Sequence, residues 1–115
     1  MPKPFRLVDK HFSPKDNEWQ RTYGLRLTFN KSEIIAITIT DHYQQKSDRE
    51  WITNELVLEI LEKLNGWGLE STKYRGKRKV YKWEITYHNQ RYRLWFWFKD
   101  GTNNHLWIRN IHPID

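Results

Sequence analysis

The chain has 115 residues, 37% of them apolar and 30% charged, with a net charge of +6, seven Trp and no cysteine. That length suits one domain able to bury about two-thirds of its unfolded surface, and the lack of cysteine excludes a disulfide framework, a thiolate zinc site and a thiol nucleophile. No apolar run reaches the roughly 18 residues that a membrane helix needs and Met1 to Arg6 hold no apolar signal segment, so a cytoplasmic protein without a membrane partner is expected.

In chain order, Pro2, Pro4 and Pro14 interrupt a stretch with no sustained period. Residues 1–20 therefore read as an N-terminal arm pinned by Phe5, Leu7 and Phe12, and residues 21–115 as a single domain. Tyr23, Leu25, Leu27 and Phe29 alternate with Arg26 and Thr28, which predicts a half-buried strand. Residues 30–33 make a hairpin-length link to residues 34–40, whose β-branched run suits a central strand.

Ser47-Asp48-Arg49-Glu50 has the form of a capping box, in which hydroxyl and carboxylate satisfy each other's backbone N–H groups. Ile52, Leu56, Val57, Ile60, Leu61 and Leu64 then mark one helical face, and Asn65-Gly66 supplies a left-handed stop. The other side bears Glu55, Glu59 and Glu62, which repel phosphate, so this is a core helix and not a recognition helix. Residues 66–79 read as an exposed loop. Three further strands are expected at residues 80–87, 92–98 and 105–111, turned at His88-Asn89-Gln90 and at residues 100–104. The fold class is α+β: a two-layer domain of order β-β-α-β-β-β, with one helix packed on an antiparallel sheet.

Charge is concentrated in one segment. From Thr72 to Lys99 nine basic residues face Glu84 alone, a local balance of +8, while the rest of the chain carries eleven basic and thirteen acidic residues. Such a field favours polyanions. Alternation then divides the last two long strands: Tyr92, Leu94, Phe96 and Phe98, with Leu106 and Ile108, turn towards the helix. The opposite side presents Arg91, Arg93, Trp95, Trp97 and Lys99 beside His105, Trp107 and Arg109. Rings interleaved with cations suit single-stranded RNA or DNA, since bases stack on indoles while phosphates meet Arg and Lys. The basic run Arg75, Lys77, Arg78 and Lys79 extends that surface. The expectation is a nucleic-acid-binding domain with single-stranded RNA as the favoured partner. The alternative is a protein–protein module or a homodimer that uses the Trp-rich face without catalysis.

An enzymatic form of this reading is a metal-independent ribonuclease, which needs a base, an acid and charge stabilisation at the scissile phosphate. His105 shares the Trp/Arg face and is the first candidate for proton transfer; His42, near the helix mouth, is the second. Arg93 and Arg109 are the candidate phosphate clamps. No histidine pair has metal-ligand spacing and no cofactor motif is present, so neither metal nor cofactor is expected. In size, charge and the strand rhythm from Tyr81 to Ile111, the chain resembles small bacterial ribonuclease toxins of the RelE-like kind. The resemblance implies a compact basic domain that cuts RNA on a positively charged sheet face. Two strands ahead of the helix depart from that family's helix-first order, and no catalytic residue carries over.

Overall fold

The computed structural model describes residues 5–41, 51–70, 73–75 and 78–114. Along the chain come β1 (Arg6–Ser13), β2 (Glu18–Phe29), β3 (Ser32–Thr40), α1 (Asn54–Glu62), β4 (Lys73–Arg75), β5 (Arg78–Tyr87), β6 (Gln90–Phe98) and β7 (His105–Ile114). Six strands lie side by side as β1-β2-β3-β7-β6-β5, and the three-residue β4 extends the β5 edge. With α1 on one face, this is a small α+β domain. No helix among the described residues is long and apolar enough to cross a membrane.

Two hairpins owe their tightness to their turn residues. Asn30 and Lys31 take φ of 51° and 63°, and His88 and Asn89 take 49° and 67°. Positive φ at both central positions is the turn whose twist matches the flanking strands. The helix ends at Glu62 with Lys63 as its C-cap; Gly66, three residues further on at φ 86°, donates its N–H to the Thr28 carbonyl at 2.7 Å.

Four sequence-based expectations change. The sheet is mixed and not wholly antiparallel, because β3 and β7 run parallel from Ala36↔His105 to Ile39↔Ile108. Alternation reveals a strand's faces but not its direction; parallel neighbours need a crossover, here through α1 and the β5–β6 hairpin. The stretch expected as an arm contains β1, an edge strand paired with β2 from Arg6↔Gly24 to Ser13↔Glu18. Phe5 packs against the core and Phe12 meets Trp19 of β2 edge-on at 5.5 Å, although Leu7 and Phe12 remain 47% and 43% exposed. The observed helix cap is Thr53, whose Oγ1 accepts from the Leu56 N–H at 3.1 Å, and the Ser47–Glu50 box lies outside the described residues. Finally, the stretch expected as a basic loop contains β4, which pairs with the start of β5 through Lys73↔Val80 and Arg75↔Arg78.

The core sits between α1 and one face of the sheet. Val57, Leu58, Ile60, Leu61 and Leu64 are fully buried against a floor that includes Phe29, Ile37, Leu94, Phe96, Leu106 and Ile108. Hydrogen bonds tie the layers together at their rims: Asn54 Nδ2 donates to the Tyr23 hydroxyl, and Asn65 Oδ1 accepts from the Thr28 N–H at 2.7 Å. The helix thereby claims one face of the sheet and leaves the other for the chemistry of its polar and indole side chains.

Candidate nucleic-acid interface

The face that α1 leaves uncovered is built by strand alternation. With Tyr92, Leu94 and Phe96 in the core, Arg91, Arg93, Trp95 and Trp97 project the other way. Pairing places Trp97 opposite Trp107, Trp95 opposite Asn110 and Arg93 opposite His112 on β7. On the other flank, β5 sets Lys82 opposite Trp95 and Glu84 opposite Arg93. A β-bulge opposite Trp95/Phe96 leaves Arg109 as the extra residue and returns Ile111 to the core side, opposite Leu94. Period two alone cannot supply that shift.

The three indoles are not equivalent. Trp95 and Trp107 are half-buried, and Lys82 Nζ lies 6.0 Å from the Trp95 ring centroid. Trp97, expected as an exposed platform, is only 6% exposed. The Arg78 guanidinium lies over it at 4.4 Å, held by Asp100 through Nε–Oδ1 and Nη2–Oδ2 hydrogen bonds of 3.1 and 2.6 Å. Such a fork-to-carboxylate pair fixes the cation in one orientation.

Carboxylates from elsewhere in the chain also hold the two arginines expected as clamps. Arg93 Nε donates to Glu84 at 2.5 Å, and Arg91 Nη2 lies 3.7 Å from the same carboxylate. The Arg93 hydrogen bond holds the Glu84 carboxyl below its ordinary value, helped by the charges of Arg93, Lys82 and Arg91 against a smaller desolvation effect. Arg109 Nη1 donates to Glu18 Oε1 at 2.7 Å, and Glu18 is 2% exposed. This pair joins β7 to β2 beneath the face. Glu18 and Asp100 were missed by sequence reasoning because they stand outside the basic segment. The one signal for Glu18 is its parity with Gln20 and Thr22, which share the uncovered face and leave it buried or half-buried.

His105 Nε2 is 2.6 Å from Thr38 Oγ1, which lies 2.7 Å from Thr22 Oγ1, so the imidazole heads a short hydroxyl chain across three strands. Burial lowers its pKa, and the charge of Lys99 adds to that shift. The ring is consequently neutral near pH 7. His42 and Lys77 lie outside the described residues, Arg75 contributes its backbone to β4, and Lys79 is exposed.

Where the β1–β2 turn rises beside β6 and β7, the face deepens into a cleft of about 530 Å³. Lys15 and Asp16 line it from the turn, Trp97, Lys99, Trp107 and Arg109 from the strands, and the Arg78–Asp100 pair also borders it. Among the described residues, no three His, Asp or Glu side chains converge as a metal site. Set against protein-family models, curated proteins and solved structures, the chain matches none, so the toxin-like strand rhythm gains no support from them.

Proposed function

We propose that this protein binds single-stranded nucleic acid, RNA in preference, on the uncovered face of β5, β6 and β7. The observation that carries the reading is the setting of the half-buried Trp95 and Trp107 among Lys82, Arg91, Arg93, Lys99 and Arg109. A base–indole stack contributes about 1–3 kcal/mol and tolerates any base. Two such platforms provide modest affinity, which phosphate contacts then raise. The ion pairs to Glu84, Glu18 and Asp100 orient three arginines without removing their unused N–H groups. The segment's excess of positive charge supplies the steering field.

A ribonucleolytic extension rests on His105: a neutral imidazole on this face can take the proton of a ribose 2′-hydroxyl. Arg93 and Arg109 would then stabilise the phosphate, and His42 is the second proton carrier.

The test is a binding titration against single-stranded RNA, single-stranded DNA and duplex DNA at two salt concentrations. Affinity for single strands should fall by about 0.7 log units per contacted phosphate for each tenfold rise in salt. No binding at about 50 mM salt, or a flat salt dependence, refutes the reading. A concentration-dependent dimer that buries Trp95 and Trp107 would instead assign the face to self-association. In the same tubes, cleavage of RNA that survives EDTA and is lost in His105→Ala supports the catalytic extension, and intact RNA across pH 5 to 8 removes it.

A further inference from the structure

We infer that the cleft beside the β1–β2 turn is a subsite for one ribonucleotide unit, with its base on Trp107, its phosphate between Lys15 and Lys99, and its ribose hydroxyls on Asp16. The inference rests on the nucleic-acid reading of this face and narrows it to a ligand class.

The charges of the lining select that ligand. Of the four cations there, Arg78 is committed to Asp100 and Arg109 to Glu18. Among the described residues, Lys15 and Lys99 enter no ion pair, and they line the cleft from two different places in the fold, the β1–β2 turn and the residue after β6. Two ammonium groups flanking one space suit a phosphate, each acting as a point charge with rotatable donors.

Asp16 is the one carboxylate of the lining outside an ion pair among the described residues. Its described hydrogen bonds are local: Oδ2 accepts from the Ser13 hydroxyl at 3.3 Å, and its N–H donates to the same Oγ. A carboxylate repels phosphate and accepts from hydroxyls, so Asp16 belongs to the sugar side. There a 2′-hydroxyl distinguishes RNA from DNA. Within the lining, the Glu18–Arg109 hydrogen bond ties β2 to β7, and Arg78 caps Trp97. Trp107 then remains as the half-buried ring for a base. A space of about 530 Å³ falls in the range of small-ligand pockets.

The experiment titrates the full chain with AMP, dAMP and adenosine by calorimetry, and in parallel with octaadenylate carrying either a 5′-phosphate or a 5′-hydroxyl. AMP should bind saturably. Loss of the 2′-hydroxyl in dAMP should weaken binding about tenfold, as for a hydrogen bond to a charged group, and adenosine should bind more weakly than AMP. Lys99→Gln, at an exposed position, should weaken AMP several-fold, and Asp16→Ala should erase the difference between AMP and dAMP. Lys63→Gln, an exposed position at the end of α1 and outside the cleft, should leave AMP binding unchanged. A gain in octamer affinity from the 5′-phosphate identifies a strand end as the occupant, and AMP binding without that gain identifies a free nucleotide.

Octamer binding with no AMP binding, or AMP binding unchanged in both Lys99→Gln and Asp16→Ala, overturns the subsite and leaves the nucleic-acid face standing. If neither octamer nor AMP binds, both readings fall.

Discussion

The Glu18–Arg109 pair predicts an asymmetry between its two partners. Glu18 is 2% exposed, whereas the Arg109 side chain keeps a third of its surface in water. Arg109→Ala strands a buried carboxylate, a defect that typically costs 3–5 kcal/mol. Solvent screening of the exposed arginine argues for the low end, about 3 kcal/mol. Glu18→Ala instead leaves a guanidinium that can turn into water, and should cost about 1–2 kcal/mol. For a domain of this size each kcal/mol shifts Tm by about 3–5 °C, so Arg109→Ala should melt about 10 °C lower and Glu18→Ala about 5 °C lower. Urea denaturation followed by far-UV circular dichroism gives both free energies, and the double variant should cost clearly less than the two single changes combined. If Arg109→Ala proves no more damaging than Glu18→Ala, the burial argument for this pair is wrong.

Trp97→Ala should destabilise by about 3 kcal/mol or more, as should Phe96→Ala, since both rings are buried on opposite faces of β6; an unchanged Tm for Trp97→Ala would contradict the Arg78 cap. Native His105 favours its neutral form, so the unfolded chain binds that proton first as pH falls. Its contribution to stability is complete above about pH 6.5 and is lost as pH drops through the lowered folded pKa; His105→Gln should flatten that limb of a stability–pH curve. An NMR titration should find the Glu84 carboxyl below its ordinary value, and Arg93→Gln should move it upwards, because the Arg93 hydrogen bond is the leading cause. Thr38→Val breaks the hydroxyl chain beneath His105 and should cost about 1–2 kcal/mol, measured by denaturant unfolding.

The one-dimensional pattern determined which residues enter the core and which face of β6 carries the indoles. Tyr92, Leu94 and Phe96 must share a side because a pleated strand repeats every two residues, and the apolar face of α1 must cover them. The two tight hairpins were legible for a similar reason, since each depends on residues adjacent in sequence, whereas the helix stops at Glu62, ahead of the expected Asn65-Gly66. Strand direction, the bulge at Arg109 and the docking of β1 were not legible, because each is set by pairing between segments distant in the chain. The same distance hid the electrostatics of the site. By sequence, residues 72–99 oppose nine cations with Glu84 alone, yet folding brings Asp100 onto Arg78 and Glu18 onto Arg109. Composition counts charges along the chain, whereas Coulomb energy depends on separation in space. Only the tertiary structure could decide that Arg78, Arg93 and Arg109 are held by carboxylates while Lys15 and Lys99 face the cleft without an ion pair among the described residues.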